Sequence, residues 1–296
     1  MTGAYLFRNL RAAECFPSIA GSRMPPQPKT KGVPMSLFTD ETESVEESLG
    51  HFRGRISGNW SVNGNPNGGY LTAIMVDAAL RKSTKKSTPI VTANFISRGK
   101  PGPVEIVVEE ISHSPQFQRF QMRLFQEGEE KVRTLATFSA EKESCSDARY
   151  ETGPAPLPPR DRCVSLPDLP AYSLFRQVEL LLDPACAGWL ENHLSERSET
   201  RGWMRLRDDH PYDIASILLV ADSLPPGILA SHGMVAWVPT IELTVNIRNL
   251  PKSRWLNCSL RTRFVTCGLL EADGEVWDEK GNLVAISRQI AQIRTG

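Results

Sequence analysis

No stretch of this sequence reaches the roughly 18 apolar residues that a membrane-spanning helix needs; its best run, Ile217–Ala221, is ended by Asp222. Surplus charge is also missing. Lys+Arg is 34 and Asp+Glu is 34, for a net charge of 0. General nucleic-acid binding therefore has no basic excess with which to release counterions. The six cysteines (Cys15, Cys145, Cys163, Cys186, Cys258 and Cys267) include no CxxC pair. They do not make a disulfide framework in a chain this long and read as reduced, structural thiols of an intracellular protein. His51, His113, His193, His210 and His232 are scattered without an HxxxH spacing, so no metal centre is expected. The GxSxG elbow of a serine hydrolase, the P-loop and GxGxxG are absent as well, and with them the usual nucleotide-phosphate cradles.

What is present is an ordinary globular composition, 40% hydrophobic and 23% charged in 296 residues, enough for one large or two medium domains with a real core. Residues 1–39 stand apart. They carry Arg8, Arg11, Arg23, Lys29 and Lys31 against the lone acid Glu14 over the first 34 positions, and Pro25, Pro26 and Pro28 break any long helix. This reads as a disordered or targeting tail. The expected location is cytoplasmic, with mitochondrial import as the alternative if residues 1–34 are a transit segment. A second break, residues 146–170, holds Pro154, Pro156, Pro158, Pro159, Pro167 and Pro170. Proline at that density forbids helix interiors and central strands and reads as a stiff linker. Two segments remain, 40–145 and 171–296.

The segments repeat one order of elements. In the first, Asn67-Gly68-Gly69 opens a helix over 70–82, with Leu71, Ile74, Met75, Ala78 and Ala79 at helical spacing. Strand patterns follow at 90–97, 104–112, 119–126 and 132–140. In the second, strand patterns at 172–182 and 202–207 precede a helix over 212–224. Strand patterns at 240–247, 256–265, 269–276 and 283–293 complete it. An offset of about 148 residues matches Thr92 to Thr240, Pro103 to Pro251, and Leu135-Ala136 to Val284-Ala285. The pattern is a duplicated α+β unit, a long helix lying on an antiparallel sheet.

A helix wrapped by a curved antiparallel sheet, doubled in one chain, resembles the double hotdog architecture. Gly64-Asn65-Pro66-Asn67-Gly68-Gly69-Tyr70 resembles the first lobe of the thioesterase-like superfamily, and the second lobe resembles acyl-CoA thioesterases of the thioesterase II type. The resemblance covers residues 45–295. It implies that an Asp on the lobe-two helix, a Thr opening the next strand and a Gln on the last strand hold the attacking water. Those roles fall on Asp222, Thr240 and Gln289. The lobe-one counterpart of Gln289 falls near Ala140, which implies one principal site.

The chemistry suits the residue types. Thioester hydrolysis needs an aimed water, a proton acceptor and donors for the oxyanion. An ionised Asp accepts the proton, while hydroxyl and amide groups fix the water. Asn67, Gly68 and Gly69 lead into a helix N-terminus with free N–H groups, the candidate oxyanion site. Each residue also has a plain structural use: Asp222 as a surface carboxylate near a helix end, Thr240 as a strand former, Gln289 as a solvent-facing strand residue, Asn67 as a turn residue. Asp77 reads as a lobe-packing position. The expected activity is cleavage of an acyl-CoA or other acyl thioester without cofactor, CoA being part of the substrate. A catalytically silent acyl-binding protein, or an accessory protein of a lipid or polyketide pathway, is the alternative. The expected partners are the thioester itself and a second copy in a homo-oligomer, with no nucleic acid and no membrane span.

Overall fold

The computed structural model describes residues 36–140 and 148–295. Two helices form its centre. Helix α1 (Gly68–Lys82) is capped by Asn67, whose side chain accepts from the Tyr70 N–H, and buries ten of its residues from Gly69 to Ala79. Helix α2 (Ile214–Ala221) buries all eight. Helix α2 is apolar on nearly every side and α1 over most of its length, so both need burial, and both are enclosed by one sheet.

That sheet has fourteen antiparallel strands: β1 (Val45–Ser48), β2 (His51–Ile56), β3 (Ser87–Phe95), β4 (Gly102–His113), β5 (Phe117–Gln126), β6 (Glu129–Ser139), β7 (Val164–Ser165), β8 (Val178–Leu182), β9 (Glu199–Leu206), β10 (Thr240–Ile247), β11 (Leu256–Arg261), β12 (Val265–Thr266), β13 (Leu269–Asp278) and β14 (Leu283–Gln292). Their order is β1-β2-β4-β5-β6-β3-β10-β14-β13-β11-β9-β8-β7, with β12 on β13. The first half is lobe one and the second half is lobe two in mirror sequence. Along β5 the burial alternates, Gln118, Phe120, Met122 and Leu124 pointing to the helices and Arg119, Gln121 and Arg123 away from them, as a half-buried strand requires. This is the α+β double hotdog. No described helix is long and apolar enough to cross a membrane.

The lobes meet at β3 and β10, where Thr92 faces Thr244 and their hydroxyls lie 3.0 Å apart. The internal register follows from this pair. Val91 pairs with Ala136, and its counterpart Leu243 pairs with Gln289. The β5–β6 and β13–β14 hairpins turn at Gly128 and Gly281, both left-handed with φ 77° and 79°. Thr92 is therefore the counterpart of Thr244, not Thr240. Leu135-Ala136 matches Arg288-Gln289, not Val284-Ala285, and Pro103 matches Trp255, not Pro251. The counterpart of Gln289 is Ala136 rather than Ala140. A slip of four residues preserves the two-residue alternation of a strand, so the in–out pattern reads equally well in either register.

Two boundaries shift. Residues 36–39, assigned above to the tail, belong to the fold: Ser36 caps a short helix, Leu37–Thr42, and Phe38 is 1% exposed, edge-on to Trp60 at 5.1 Å. The Trp60 indole donates to Glu41 at 2.6 Å. The rest of that tail lies outside the described residues. Removing a buried aromatic ring costs about 3–5 kcal/mol. Phe38→Ala is thus expected to lower the melting temperature markedly, and a chain begun at Asp40 should melt well below one begun at Met35. Equal melting of those two chains in calorimetry would contradict this packing.

The proline-rich stretch is the second case. Its residues 146–147 are outside the described set; from 148 on it lies against lobe two. Tyr150 meets Trp277 edge-on at 5.3 Å. Ala155 O accepts from the Asn257 amide at 2.8 Å and Pro158 O from the Trp203 indole at 3.0 Å. Val164 and Ser165 then pair with β8. Proline leaves carbonyls without matching N–H groups, and side chains of the sheet supply the missing donors. The strand expected over 172–182 forms only from Val178, since Leu174–Gln177 is a helical turn.

Candidate active site

The first turn of α1 and the end of α2 touch through two glycines. A Cβ on Gly69 would lie 2.4 Å from Leu218 O and 2.9 Å from Asp222 Cβ. Only a residue without a side chain permits this approach. Asp222 is the C-cap of α2, so the crossing delivers its carboxylate to the N-terminus of α1. The Gly69 N–H donates to Asp222 Oδ2 at 2.9 Å. Asn67 locks both helix ends together: its Oδ1 accepts from Tyr70 N at 2.9 Å and its Nδ2 donates to Asp222 O at 2.8 Å.

On the sheet side, Thr240 at the start of β10 donates its hydroxyl to Gln289 Oε1 on β14 at 3.0 Å. That bond fixes the amide with its nitrogen toward Asp222, and Gln289 Nε2 lies 3.4 Å from Asp222 Oδ1. Thr240, Gln289, Asp222 and Gly69 thus form one chain of polar contacts drawn from both lobes, so the structure brings the expected residues together.

For Asn67, Gly68 and Gly69 the expectation is of oxyanion donors; in the structure the Gly69 N–H donates to Asp222 Oδ2 and the Asn67 amide to the Asp222 main chain. An orphan helix N–H takes the nearest anion, and here the protein supplies its own. These contacts set all three residues against Asp222.

Burial pushes the Asp222 carboxyl up to about 6, and the Gly69 and Gly68 N–H groups, the Asn67 amide and the Gln289 amide hold it from rising further. The acid is thereby ionised at neutral pH and yet a stronger base than an ordinary Asp.

The cluster opens on a cavity of about 480 Å³ lined by Asn67, Gly68, Asp222, Thr240 and Gln289 together with apolar Leu71, Phe95, Leu174, Phe175, Trp189, Leu224 and Leu229. Leu166 and Leu169 from the proline-rich stretch complete the wall. These wall residues were not assigned from the sequence. Trp189 sits in a short helical segment with no periodic signal, and the leucines lie among prolines.

The mirror-related position is built from different contacts. Helix α2 begins with its own cap: Asp213 Oδ1 accepts from Ser216 N at 2.7 Å and the Ser216 hydroxyl accepts from Asp213 N at 2.8 Å. Asp77 pairs with Arg81 at 3.0 Å, and Ala136 stands where a second Gln would be needed.

A long helix wrapped by a sheet, doubled and sharing one polar cluster, defines a double hotdog protein. Family models agree with this division: the acyl-CoA thioesterase N-terminal domain matches residues 56–139 and the acyl-CoA thioesterase C-terminal domain matches residues 154–293. The chain belongs to the acyl-CoA thioesterase family that these two domains define. Among solved structures it is similar to a provisionally assigned thioesterase II from Thermobifida fusca (TM-score 0.80, 24% identity, covering 88% of this chain and 99% of that one). An acyl-CoA thioesterase II from Mycobacterium marinum is also similar (TM-score 0.71, 18% identity, covering 88% and 98%). At these identities the likeness shows the fold. An uncharacterized protein of Mycobacterium tuberculosis is 24% identical over 269 residues, 82% of this chain and 90% of that protein.

Proposed function

We propose that this protein hydrolyses acyl-CoA, or a closely related acyl thioester, to the free acid and thiol. The observation that carries the proposal is the Thr240–Gln289–Asp222 chain at the wall of a cavity whose lining is apolar in larger part. The apolar lining takes the acyl chain, and the cluster meets the carbonyl end. Water bound between Asp222 Oδ1 and the Gln289 amide gives a proton to the carboxylate as its oxygen attacks the carbonyl carbon. The second N–H of Gln289 is placed to receive the carbonyl oxygen as it gains charge. The tetrahedral intermediate then expels the thiolate, which recovers the proton from the Asp222 carboxylic acid. One water is consumed, one acid and one thiol are released, and the carboxylate is regenerated.

Thr240 acts through Gln289, so its removal misorients the amide without touching the acyl wall. Thr240→Ala and Gln289→Ala are expected to lower kcat more than they change KM, and the double variant should lose less than the product of the single losses, because residues that act as a unit fail together. Steady-state release of free thiol across acyl-CoA chain lengths tests both the activity and the assignment. Thermal stabilisation by acyl-CoA without turnover would point instead to a silent acyl-binding protein.

A further inference from the structure

The run 166–175 lies outside every strand of the sheet, yet five of its side chains, Leu166, Leu169, Tyr172, Leu174 and Phe175, line the cavity. The cause is in the order Leu166-Pro167-Asp168-Leu169-Pro170-Ala171-Tyr172. Pro167 and Pro170 have no N–H to give a ladder, which keeps the run out of the sheet. Both leucines precede a proline, which biases their backbone to extended conformations. Tyr172 N then donates to Leu169 O at 2.8 Å, closing a turn whose first inner residue is Pro170, the position that proline favours. Burial along the run has a period of three. Leu166, Leu169 and Tyr172 are half-buried, while Pro167, Asp168, Pro170 and Ala171 are exposed. The wall is therefore one chain thick here, with the cavity on one side and solvent on the other.

Both ends of the run are pinned. Upstream, the Arg160 guanidinium lies 5.6 and 5.3 Å from the Trp203 and Trp255 rings and pairs with Glu279 at 2.5 Å. Strand β7 pairs with β8, and Leu166 N donates to Leu180 O at 3.2 Å. Downstream, the Ser173 hydroxyl donates to Gly58 O at 2.6 Å and accepts from Ser61 N at 3.1 Å, which ties the run to lobe one. The Tyr172 and Phe175 rings stack 6.3 Å apart. A wall held at both ends sets a size limit instead of yielding to whatever enters. Exposure gives its place relative to the chemistry. Leu174 is 1% exposed, while the lining residues Ile96 and Met234 are 54% and 51% exposed and mark where the cavity meets solvent. A thioester with its carbonyl at Asp222 and its carrier leaving through that opening lays its acyl chain against the run.

We infer that residues 166–175 set the length of acyl chain that the protein accepts, with Leu169 as the principal specificity-determining side chain and Leu166 beside it, on the reading that the cavity serves a thioester hydrolase. Leu71 and Trp189 on the other walls belong to the core of the lobes, so a change of size there disturbs the fold as well. Leu169 lies outside both apolar core clusters. Its size alters the room for the chain and little else. One methylene that a hydrophobic pocket gains or refuses is worth about 10- to 200-fold in kcat/KM, so a single side chain in this wall is enough to move the preferred length.

The test is kcat/KM for saturated acyl-CoAs of graded length, measured on the full chain and on its Leu169→Trp, Leu169→Ala and Thr240→Ala variants. Leu169→Trp is expected to move the preferred chain to shorter lengths, with a loss of about tenfold or more for each methylene that no longer fits. Leu169→Ala moves it to longer ones, and L166A/L169A further still, which keeps the test decisive should the tryptophan variant fail to fold. Thr240→Ala should lower every length by the same factor, since it acts at the carbonyl. Thermal stabilisation by S-alkyl-CoA thioethers, which carry the chain but no carbonyl to attack, should shift in the same directions as the Leu169 variants. A parental length preference in the folded Leu169 variants overturns the inference. So does a loss equal at all lengths, or stabilisation indifferent to chain length in every protein. Shifted stabilisation without hydrolysis at any length would uphold the wall and remove the hydrolase reading instead.

Discussion

Asp222→Asn is expected to lower kcat by about a hundredfold or more, the usual scale for loss of a general base, in a protein that stays folded. Asparagine keeps the shape and can still accept from the Gly69 N–H, but it cannot take the proton from water. The pH profile of the unaltered protein carries the same signature. Its carboxyl titrates at about 6 in the folded state, so turnover falls as pH drops through 6 and levels off above 7. Stability moves the other way. The folded carboxyl lies above its ordinary value of 3.8, so the folded state holds the proton more tightly than the unfolded chain does. This group therefore favours folding most below pH 3.8, and that contribution is lost as pH rises from 3.8 to 6. Above pH 6 the asparagine variant, spared the burial of a charge, is expected to melt no lower than the parent. Thiol release and calorimetry at pH 5 to 8 check both statements. Near-parental turnover by folded Asp222→Asn would remove Asp222 from the mechanism.

Gly69→Ala is the other large effect. Its Cβ meets Leu218 O at 2.4 Å, and a main-chain oxygen inside α2 cannot swing aside. The helices must part, which breaks the Gly69–Asp222 bond and disturbs the α1–α2 packing together. A loss of at least 1–3 kcal/mol, the range for overpacking, is expected, with activity falling alongside it. Gly68→Ala separates the two consequences. Its Cβ meets the Phe95 ring at 2.6 Å and Asp222 Oδ2 at 3.0 Å, both side-chain atoms able to shift, so activity should fall further than stability. Gly153→Ala meets nothing within 4 Å and serves as the control. Melting temperatures for the three variants in the order Gly69→Ala lowest, then Gly68→Ala, then Gly153→Ala are the expected result; a Gly69→Ala protein that melts like the parent would refute the close crossing.

The sequence made the architecture readable because both repeats carry the same order of patterns: apolar residues at helical spacing in α1, then strand-like runs such as β5 and β6. Asp222, Thr240 and Gln289 were found through family resemblance, since each is a common residue with a plain structural use. Three matters stayed hidden, each for a physical reason. The register between repeats was ambiguous because a strand pattern repeats every two residues. The contact of Asn67, Gly68 and Gly69 with Asp222 stayed hidden because a helix N-terminus announces its affinity for an anion but not which anion it meets. That required knowing that α2 ends against it. Phe38 was assigned to the tail because one aromatic in a polar stretch has no periodicity, and only its contact with Trp60 reveals it as core.

The covalent joining of the lobes has a consequence for how such a protein can change. Two identical hotdog chains associating as a pair would carry every substitution twice, once in each half, and could not keep a Gln at one site while placing Ala at its mirror image. The strap of residues 148–170 releases the halves from that identity. One half-site carries the polar cluster, and the other carries Ala136, Asp77 and the Asp213 cap at the corresponding places. Asymmetry is thus a property of the tether as much as of any single residue, and it lets one fold assign separate duties to its two copies.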